Sequence, residues 1–111
     1  MPPSPTFLRV KADVLALLHD IPAGRVTTYG AVAAAVGARP RYVARVLGTM
    51  SDGEAEGVPW HRVVGAGGVI STMQLAGGVG ERQIDRLGRE GVRVSARNRV
   101  VGFASLFFTP G

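Results

Sequence analysis

The chain of 111 residues contains no cysteine. This absence excludes disulfide bonds and thiolate metal sites, and it leaves the chain without a thiol nucleophile. The two histidines, His19 and His61, are far apart and have no cluster of carboxylates beside them, so the sequence shows no metal-ligand spacing. The glycine-rich segments 65–68 and 77–80 match neither a P-loop nor a dinucleotide-binding pattern. We therefore expect neither a metal nor any other cofactor.

Long apolar runs are also missing. None approaches the length of a membrane-spanning helix. Residues 1–5 have neither the basic start nor the apolar stretch of a signal peptide. These features predict a protein of the cytoplasm, associated with the nucleoid in a prokaryotic host, that has no membrane partner. The length and the hydrophobic content of 46% predict a single domain.

Acidic residues are scarce and unevenly placed. Asp and Glu number 8 against 13 Lys and Arg, which gives a formal net charge of +5. No acidic residue lies between Asp20 and Asp52, yet four arginines fall there: Arg25, Arg39, Arg41 and Arg45. Because guanidinium groups suit phosphates and base edges, this distribution predicts a polyanionic partner. A GC-rich genome or thermal adaptation is the alternative explanation of the arginine content, and it accounts less well for the acid-free stretch.

Apolar residues at helical spacing predict three helices in the first half of the chain, over residues 7–21, 30–36 and 41–50. Thr27 or Thr28 can cap the second helix, and Gly37 is suited to end it. Pro40 stands where a first-turn proline belongs, just before the third helix. The connection between the second and third helices is short, as in a helix-turn-helix.

The third predicted helix has two distinct faces. An apolar stripe is expected to face the core and consists of Val43, Val46, Leu47 and Met50. The opposite face carries Arg41, Ala44, Arg45 and Gly48. Two arginines flanked by two very small residues can approach a DNA groove closely and contact its phosphates. Many helix pairs pack in this way without touching DNA, so this pattern alone leaves DNA binding open.

The second half of the chain gives weaker signals. We predict a polar, acidic loop over residues 51–57 and a charged helix over residues 81–90, with Ile84 and Leu87 facing inward. Residues 92–95 and 100–108 are interpreted as short strands or extended tail. The predicted organisation is a flexible N-terminus over residues 1–6, one domain over residues 7–96, and a C-terminal extension over residues 97–111 that packs on the domain or trails from it.

The most informative motif is a hexapeptide that reads Pro59-Trp60-His61-Arg62-Val63-Val64. It resembles the active-site segment of the O6-alkylguanine-DNA alkyltransferases, Pro-Cys-His-Arg-Val-(Val/Ile), with tryptophan at the position of the nucleophilic cysteine. An indole offers only a neutral N–H donor and a π face, so it can hold a base but cannot accept its alkyl group. The chain is therefore similar to the alkyltransferase-like proteins, which bind damaged DNA without repairing it.

The resemblance follows family order from Ile21 to Gly91. It implies a mainly α fold with short β elements: a winged-helix-like, helix-turn-helix DNA-binding domain that resembles the C-terminal domain of the alkyltransferases and binds the minor groove. It also implies contacts to DNA from Thr28 and from Tyr29, which would push on a phosphate as the damaged nucleotide rotates out. From the residues alone, an aromatic anchor near a helix start is the favoured explanation of Tyr29, and the resemblance reverses that preference.

An arginine of the third helix is implied to enter the base stack and to fill the space of the flipped base. Arg41 matches this role better than Arg45, which lies one turn later, although either arginine is also interpretable as a phosphate contact. A guanidinium suits the task because its flat face stacks on bases while its edges donate hydrogen bonds.

The resemblance also implies a lesion pocket. Its predicted members are Tyr29, Pro59, Trp60, Val63, Ser71 and Met73. Behind it, His61 and Glu90 match the relay that activates the cysteine of the enzymes, and Arg62 is expected to brace the pocket. Without a thiol, we interpret these three residues as a structural, hydrogen-bonded brace. The arginine that covers the guanine in many relatives is absent near Met73, and either Met73 or Arg82 is a candidate substitute. An indole that simply plugs the vacated pocket is the alternative for Trp60.

The predicted function is therefore a damage sensor and not an enzyme. It would bind double-stranded DNA containing O6-alkylguanine, flip the lesion, and flag it for nucleotide excision repair proteins, acting as a monomer. Two alternatives remain open at this point. One is a helix-turn-helix transcriptional regulator that reads a DNA sequence, and the other is a repair enzyme that uses a residue other than cysteine.

Overall fold

The first helix begins earlier than the apolar spacing predicts. In the computed structural model, which describes residues 4–111, helix α1 runs from Pro5 to Leu18. The Ser4 side chain caps it by accepting a hydrogen bond from the Phe7 amide at 3.0 Å. The predicted range 7–21 was therefore wrong at both ends, and part of the segment predicted as a flexible N-terminus is helical. The remaining residues of that segment, 1–3, lie outside the described residues.

The predicted helix-turn-helix is present. A two-residue strand, β1 (Thr27–Thr28), leads into α2 (Tyr29–Val36), and α3 follows over Pro40–Gly48. Gly37 ends α2 in the left-handed conformation at φ 71°, which favours glycine. Helix α3 ends at Gly48, two residues before its predicted end, and Thr49 is its C-cap. The fold is mainly helical with short β elements, as the sequence predicts.

The first apolar core joins α1, α2 and α3. Val14, Leu18, Val32, Val43 and Val46 contribute fully buried side chains. The stripe predicted for α3 faces this core, and the opposite face of the helix is exposed. Burial of the stripe leaves the arginine-bearing face of α3 accessible to a partner.

The acidic segment 51–57 is a helix and not the predicted loop. Helix α4 spans Asp52–Gly57 and begins with a capping box, in which the Ser51 side chain accepts from the Glu54 amide at 3.2 Å and the Glu54 carboxylate accepts from the Ser51 amide at 3.0 Å. Lys11 of α1 also contacts Glu54, at 3.3 Å. The loop prediction was wrong because the segment has no apolar stripe, and the only local signal of the helix is the Ser-x-x-Glu pattern at its start.

The second half of the domain packs around a smaller core. Strand β2 (Val63–Val64) pairs in parallel with β1, and α5 spans Val79–Arg89. The buried apolar residues of this core are Val26, Val64, Ile70, Leu87, Val92 and Val100. The Leu87 side chain faces inward as predicted, and Ile84 packs against the core while remaining half-buried. No helix among residues 4–111 is both long and apolar enough to cross a membrane.

The C-terminal segment packs on the domain. Within residues 92–108 the predicted strands reduce to isolated bridges, including Val94 with Val100, and Phe103–Leu106 form a short helix, α6. Arg25 donates hydrogen bonds to the carbonyls of Leu106 and Phe107 at 2.9 and 2.8 Å. Arg25 therefore holds the C-terminal segment in place.

Candidate nucleic-acid interface

A cavity of about 660 Å³ opens along the exposed face of α3. One wall is that face itself, because Arg41, Ala44 and Gly48 line the cavity. The other walls come from the start of α2, from α4, from the turn at Ser71–Gln74 and from the start of α5. This volume lies in the range of pockets that hold small molecules.

Trp60 borders this cavity. It opens a single turn of 3-10 helix, Trp60–Arg62, which directly precedes β2. The His61 ring meets the indole edge-on, with centroids 6.3 Å apart and planes at 89°. Trp60 therefore contributes to the wall of this cavity.

Tyr29 and Ser71 both line this cavity. Tyr29 is the first residue of α2. Burial raises the pKa of Tyr29 above its usual value of 10.0, and the Ser71 hydroxyl offsets part of this shift. The phenol therefore stays protonated at neutral pH, and its hydroxyl can donate a hydrogen bond to a phosphate or a base.

Behind the cavity, one carboxylate joins three parts of the chain. Glu90, the C-cap of α5, contacts His61 Nε2 at 2.7 Å and Arg62 Nη2 at 2.7 Å. It also accepts a hydrogen bond from the Gly24 amide at 3.0 Å. Arg62 in turn donates to the Ile21 carbonyl at 2.7 Å. The three residues predicted as a brace are thus brought together in one network.

The network fixes the charge of its members. Partial burial acts to raise the pKa of Glu90, but hydrogen bonds from Arg62, His61 and Gly24 outweigh it and bring the pKa from 4.5 to about 2. Burial lowers the pKa of His61 below 6.5, against the opposite effect of Glu90. At neutral pH the imidazole is therefore neutral, and it donates its Nε2 proton to the carboxylate. Its buried Nδ1 has no hydrogen-bond partner among residues 4–111.

Three predicted pocket residues do not line the cavity in the described part of the chain. Val63 lies in β2 with its side chain fully buried in the first core. Met73 packs against the second core, and Pro59 is half-buried next to the 3-10 turn. Proximity in sequence to Trp60 or Ser71 does not by itself fix the direction in which a side chain points.

The two candidate arginines of α3 have different surroundings. Arg41 is exposed in the cavity wall. The Arg45 guanidinium lies over the Phe7 ring, 5.2 Å from its centroid, and does not contribute to the cavity wall. The arrangement places Arg41 beside the space that a flipped base would enter.

Two further predicted residues have identifiable contacts. Thr28 caps α2, and its hydroxyl accepts from the Ala31 amide at 3.0 Å. Arg82, one of the two candidates to cover a bound base, lies in the cavity wall and donates to the Gly77 carbonyl at 2.6 Å. Met73, the other candidate, is packed elsewhere.

Sequence reasoning missed two polar residues of α5. The Gln83 amide is buried and donates to the carbonyls of His61 and Val63 at 3.0 and 2.8 Å, which ties the 3-10 turn and β2 to the helix. Arg86 lies over the Trp60 ring, 5.6 Å from its centroid. A polar residue at an inward helical position, three residues after the buried Gly80, was the available signal for Gln83. Among residues 4–111, no three histidine or carboxylate side chains gather as they would around a metal ion.

Comparison with known proteins agrees with this geometry. Residues 9–92 match the family model of the DNA-binding domain of 6-O-methylguanine DNA methyltransferase. Alkyltransferase-like protein 1 of Schizosaccharomyces pombe is 43% identical over 76 residues, which make up 68% of each chain. The chain belongs to the alkyltransferase-like proteins.

Two more similarities support this assignment. A DNA base-flipping protein of Vibrio parahaemolyticus is 36% identical to this alkyltransferase-like protein over 90 residues, which cover 79% of this chain and 85% of the relative. The structure of S. pombe Atl1 in complex with damaged DNA containing O6-carboxymethylguanine superposes with a TM-score of 0.79 and 30% identity, covering 92% of this chain and 96% of that chain. The fold is thus that of a protein solved on damaged DNA.

Proposed function

We propose that this alkyltransferase-like protein is a non-enzymatic DNA damage sensor that binds O6-alkylguanine in double-stranded DNA. The helix-turn-helix enters the minor groove, and the damaged base rotates into the cavity beside Trp60. The observation that carries this proposal is Trp60 at the position of the alkyltransferase nucleophile, bordering an open cavity of about 660 Å³ next to the exposed arginine face of α3.

Base flipping provides the selectivity. Extrusion of a base costs a few kcal/mol, and the cost is least for a poorly paired lesion. Stacking of the extruded base on an aromatic ring such as Trp60 returns about 1–3 kcal/mol. Arg41, at the cavity wall, fills the space left in the stack, and Tyr29 contacts the phosphate of the rotated nucleotide. A lesion that leaves the stack easily is therefore bound in preference to normal guanine.

The site holds the base without chemistry. The chain has no cysteine, and an indole does not displace an alkyl group from oxygen. Neutral His61 keeps an acceptor at Nδ1, but it has no thiol from which to take a proton. The His61, Arg62 and Glu90 network then acts as a brace that fixes the turn carrying Trp60.

A sensor that leaves the lesion in place needs a second system to remove it. The family resemblance points to nucleotide excision repair proteins, which would recognise the stable complex of the monomeric sensor with its DNA. A protein with this role would be cytoplasmic and associated with the nucleoid in a prokaryotic host.

Two duplexes that differ only by one O6-methylguanine test the proposal. We expect tighter binding to the modified duplex, with the methyl group still on the DNA after prolonged incubation. Equal affinity for the two duplexes would refute lesion sensing, and methyl label on the protein would refute the non-enzymatic role. Strong dependence on the flanking sequence with no dependence on the lesion would instead identify a transcriptional regulator.

A further inference from the structure

Arg86 is a half-buried cation without an acidic partner in the described part of the chain. Its guanidinium carbon lies 5.6 Å from the centroid of the Trp60 ring. On the same helix, Arg89 is exposed and pairs with Asp85 at 2.9 Å. Partial burial of a cation costs free energy, because the charge loses part of its hydration, unless another group compensates for that loss. For Arg86, the compensating group is the face of the indole.

The indole depends on such packing for its orientation. Buried tryptophans usually fix their ring through a hydrogen bond from Nε1. The Trp60 Nε1 is buried and has no hydrogen-bond partner among residues 4–111. Two contacts of the ring are with His61, which meets it edge-on, and with Arg86, which lies over its face.

Arg86 contacts the Trp60 ring from outside the set of residues that line the cavity. Trp60 borders the cavity, whereas Arg86 is not one of the residues that line it. The guanidinium therefore does not form part of the cavity wall. This geometry differs from that of Arg41 and Arg82, which lie in the cavity wall.

We propose that Arg86 is a positioning residue that clamps Trp60 as a rigid stacking wall and thereby sets the preference for O6-alkylguanine over guanine. This inference rests on the proposed function for its effect on binding. The clamp itself is a property of the free protein. A wall that is already ordered does not lose freedom when the base arrives, so more of the stacking energy appears as affinity.

The test compares Arg86→Gln with the matched control Arg89→Gln. The two variants lose the same charge from the same helix, so their effects on general attraction to DNA are alike. Trp60 is the only tryptophan, which makes intrinsic fluorescence a specific reporter of its environment. In the free protein, we expect Arg86→Gln to increase acrylamide quenching and to lower the fluorescence anisotropy, while Arg89→Gln leaves both unchanged.

The binding measurement uses the unmodified duplex and the duplex with one O6-methylguanine. We expect Arg86→Gln to reduce the ratio of the two affinities roughly three- to tenfold and Arg89→Gln to leave it unchanged. Arg86→Lys keeps the charge without the flat guanidinium, so we expect an intermediate ratio. Thermal melting of each variant verifies that it is folded.

Two results would overturn the proposal. One is that Arg86→Gln weakens binding to both duplexes equally, and by more than Arg89→Gln does. This result would make Arg86 a phosphate contact. The other is unchanged quenching and anisotropy in the free Arg86→Gln protein, which would show that the indole is held without it. If the wild-type protein shows no lesion preference, the proposed function fails, while the fluorescence result still decides whether the clamp exists.

Discussion

Trp60 stands where the enzymes resembled by this chain carry their cysteine, and His61 matches the residue that acts as base toward that cysteine. His61 Nε2 is held by Glu90 at 2.7 Å, and its buried Nδ1 has no partner in residues 4–111. In Trp60→Cys, the new sulfur would sit in a cavity shaped around an indole. A displacement of about 1 Å is enough to cost on the order of a hundredfold in rate. We expect retained lesion binding with weak or undetectable methyl transfer, measured with a labelled methyl group.

The control for this experiment is Trp60→Ala, which removes the indole without adding a thiol. It reports how much of any change in binding comes from loss of the ring. Stoichiometric transfer by Trp60→Cys would contradict the prediction and would mean that only the nucleophile had been lost.

The two arginines of α3 are expected to act differently, because only Arg41 lies in the cavity wall. A residue that fills the space of a flipped base matters only when the base has left the stack. Arg41→Ala should therefore weaken binding to the modified duplex more than to the unmodified one. Arg45→Ala should weaken both equally and reduce the slope of log K against log salt by about 1. The reverse behaviour in binding titrations at several salt concentrations would assign the stacking role to Arg45.

Individual site residues could be predicted where a motif fixes them. The hexapeptide contains Trp60, His61 and Arg62. In the structure Trp60 borders the cavity, and His61 and Arg62 both contact Glu90. Val63 belongs to the same motif, yet the motif does not show that its side chain turns into the core. The contact of Arg86 with Trp60 depends on how α5 docks, and no local pattern encodes that.

The docking of α5 depends on a close approach at Gly80. A Cβ added there would lie 2.7 Å from the Met73 Cα and 2.8 Å from the Met73 nitrogen, which is closer than atoms pack. Because backbone must move, Gly80→Ala should lower the free energy of unfolding by about 1–3 kcal/mol. It should also shift the turn that carries Ser71 and so weaken the lesion preference.

Gly88→Ala provides the matched control for this prediction. Gly88 lies in the same helix, is exposed, and has nothing within 4 Å of an added Cβ. This variant should stabilise the protein by up to about 1 kcal/mol, because alanine favours helix more than glycine does. Urea unfolding of both variants measures the difference. Equal free energies of unfolding for Gly80→Ala and Gly88→Ala would contradict the prediction. They would mean that α5 can move away from the turn at Met73 without loss of stability.

Helices with local signals at their ends were predictable, and the remaining elements were less so. The cap at Thr28, the stop at Gly37 and the proline at Pro40 define α2 and α3 from sequence alone. Helix α4 has a capping box but no apolar stripe, so the hydrophobic pattern missed it. The bridges of the C-terminal segment, such as Val26 with Phe107, form between distant residues and have no local signature.

At the scale of the whole molecule, Glu90 connects distant parts of the chain by hydrogen bonds. These parts are the loop after α1, the turn at Trp60 and the end of α5. The pKa of Glu90 falls from 4.5 to about 2 on folding, so the unfolded chain binds more protons here than the folded protein does between these values. Stability from this carboxylate is therefore fully present above pH 4.5 and is lost as the pH falls towards 2. His61 acts in the same direction below pH 6.5, because burial lowers its pKa.

We expect the free energy of unfolding to decrease on acidification, with Glu90 contributing about 2 kcal/mol of the loss once solvent screening is allowed for. Urea unfolding at intervals between pH 7 and pH 2.5 measures this decrease. Glu54 also has a lowered pKa but is an exposed capping residue, so a control must separate the two carboxylates. Glu90→Gln serves this purpose: it should be less stable at pH 7 and should lose less stability than the wild type below pH 4.5. Parallel curves for the two proteins would contradict the assignment, because the network around Trp60 would then not depend on the charge of this one side chain.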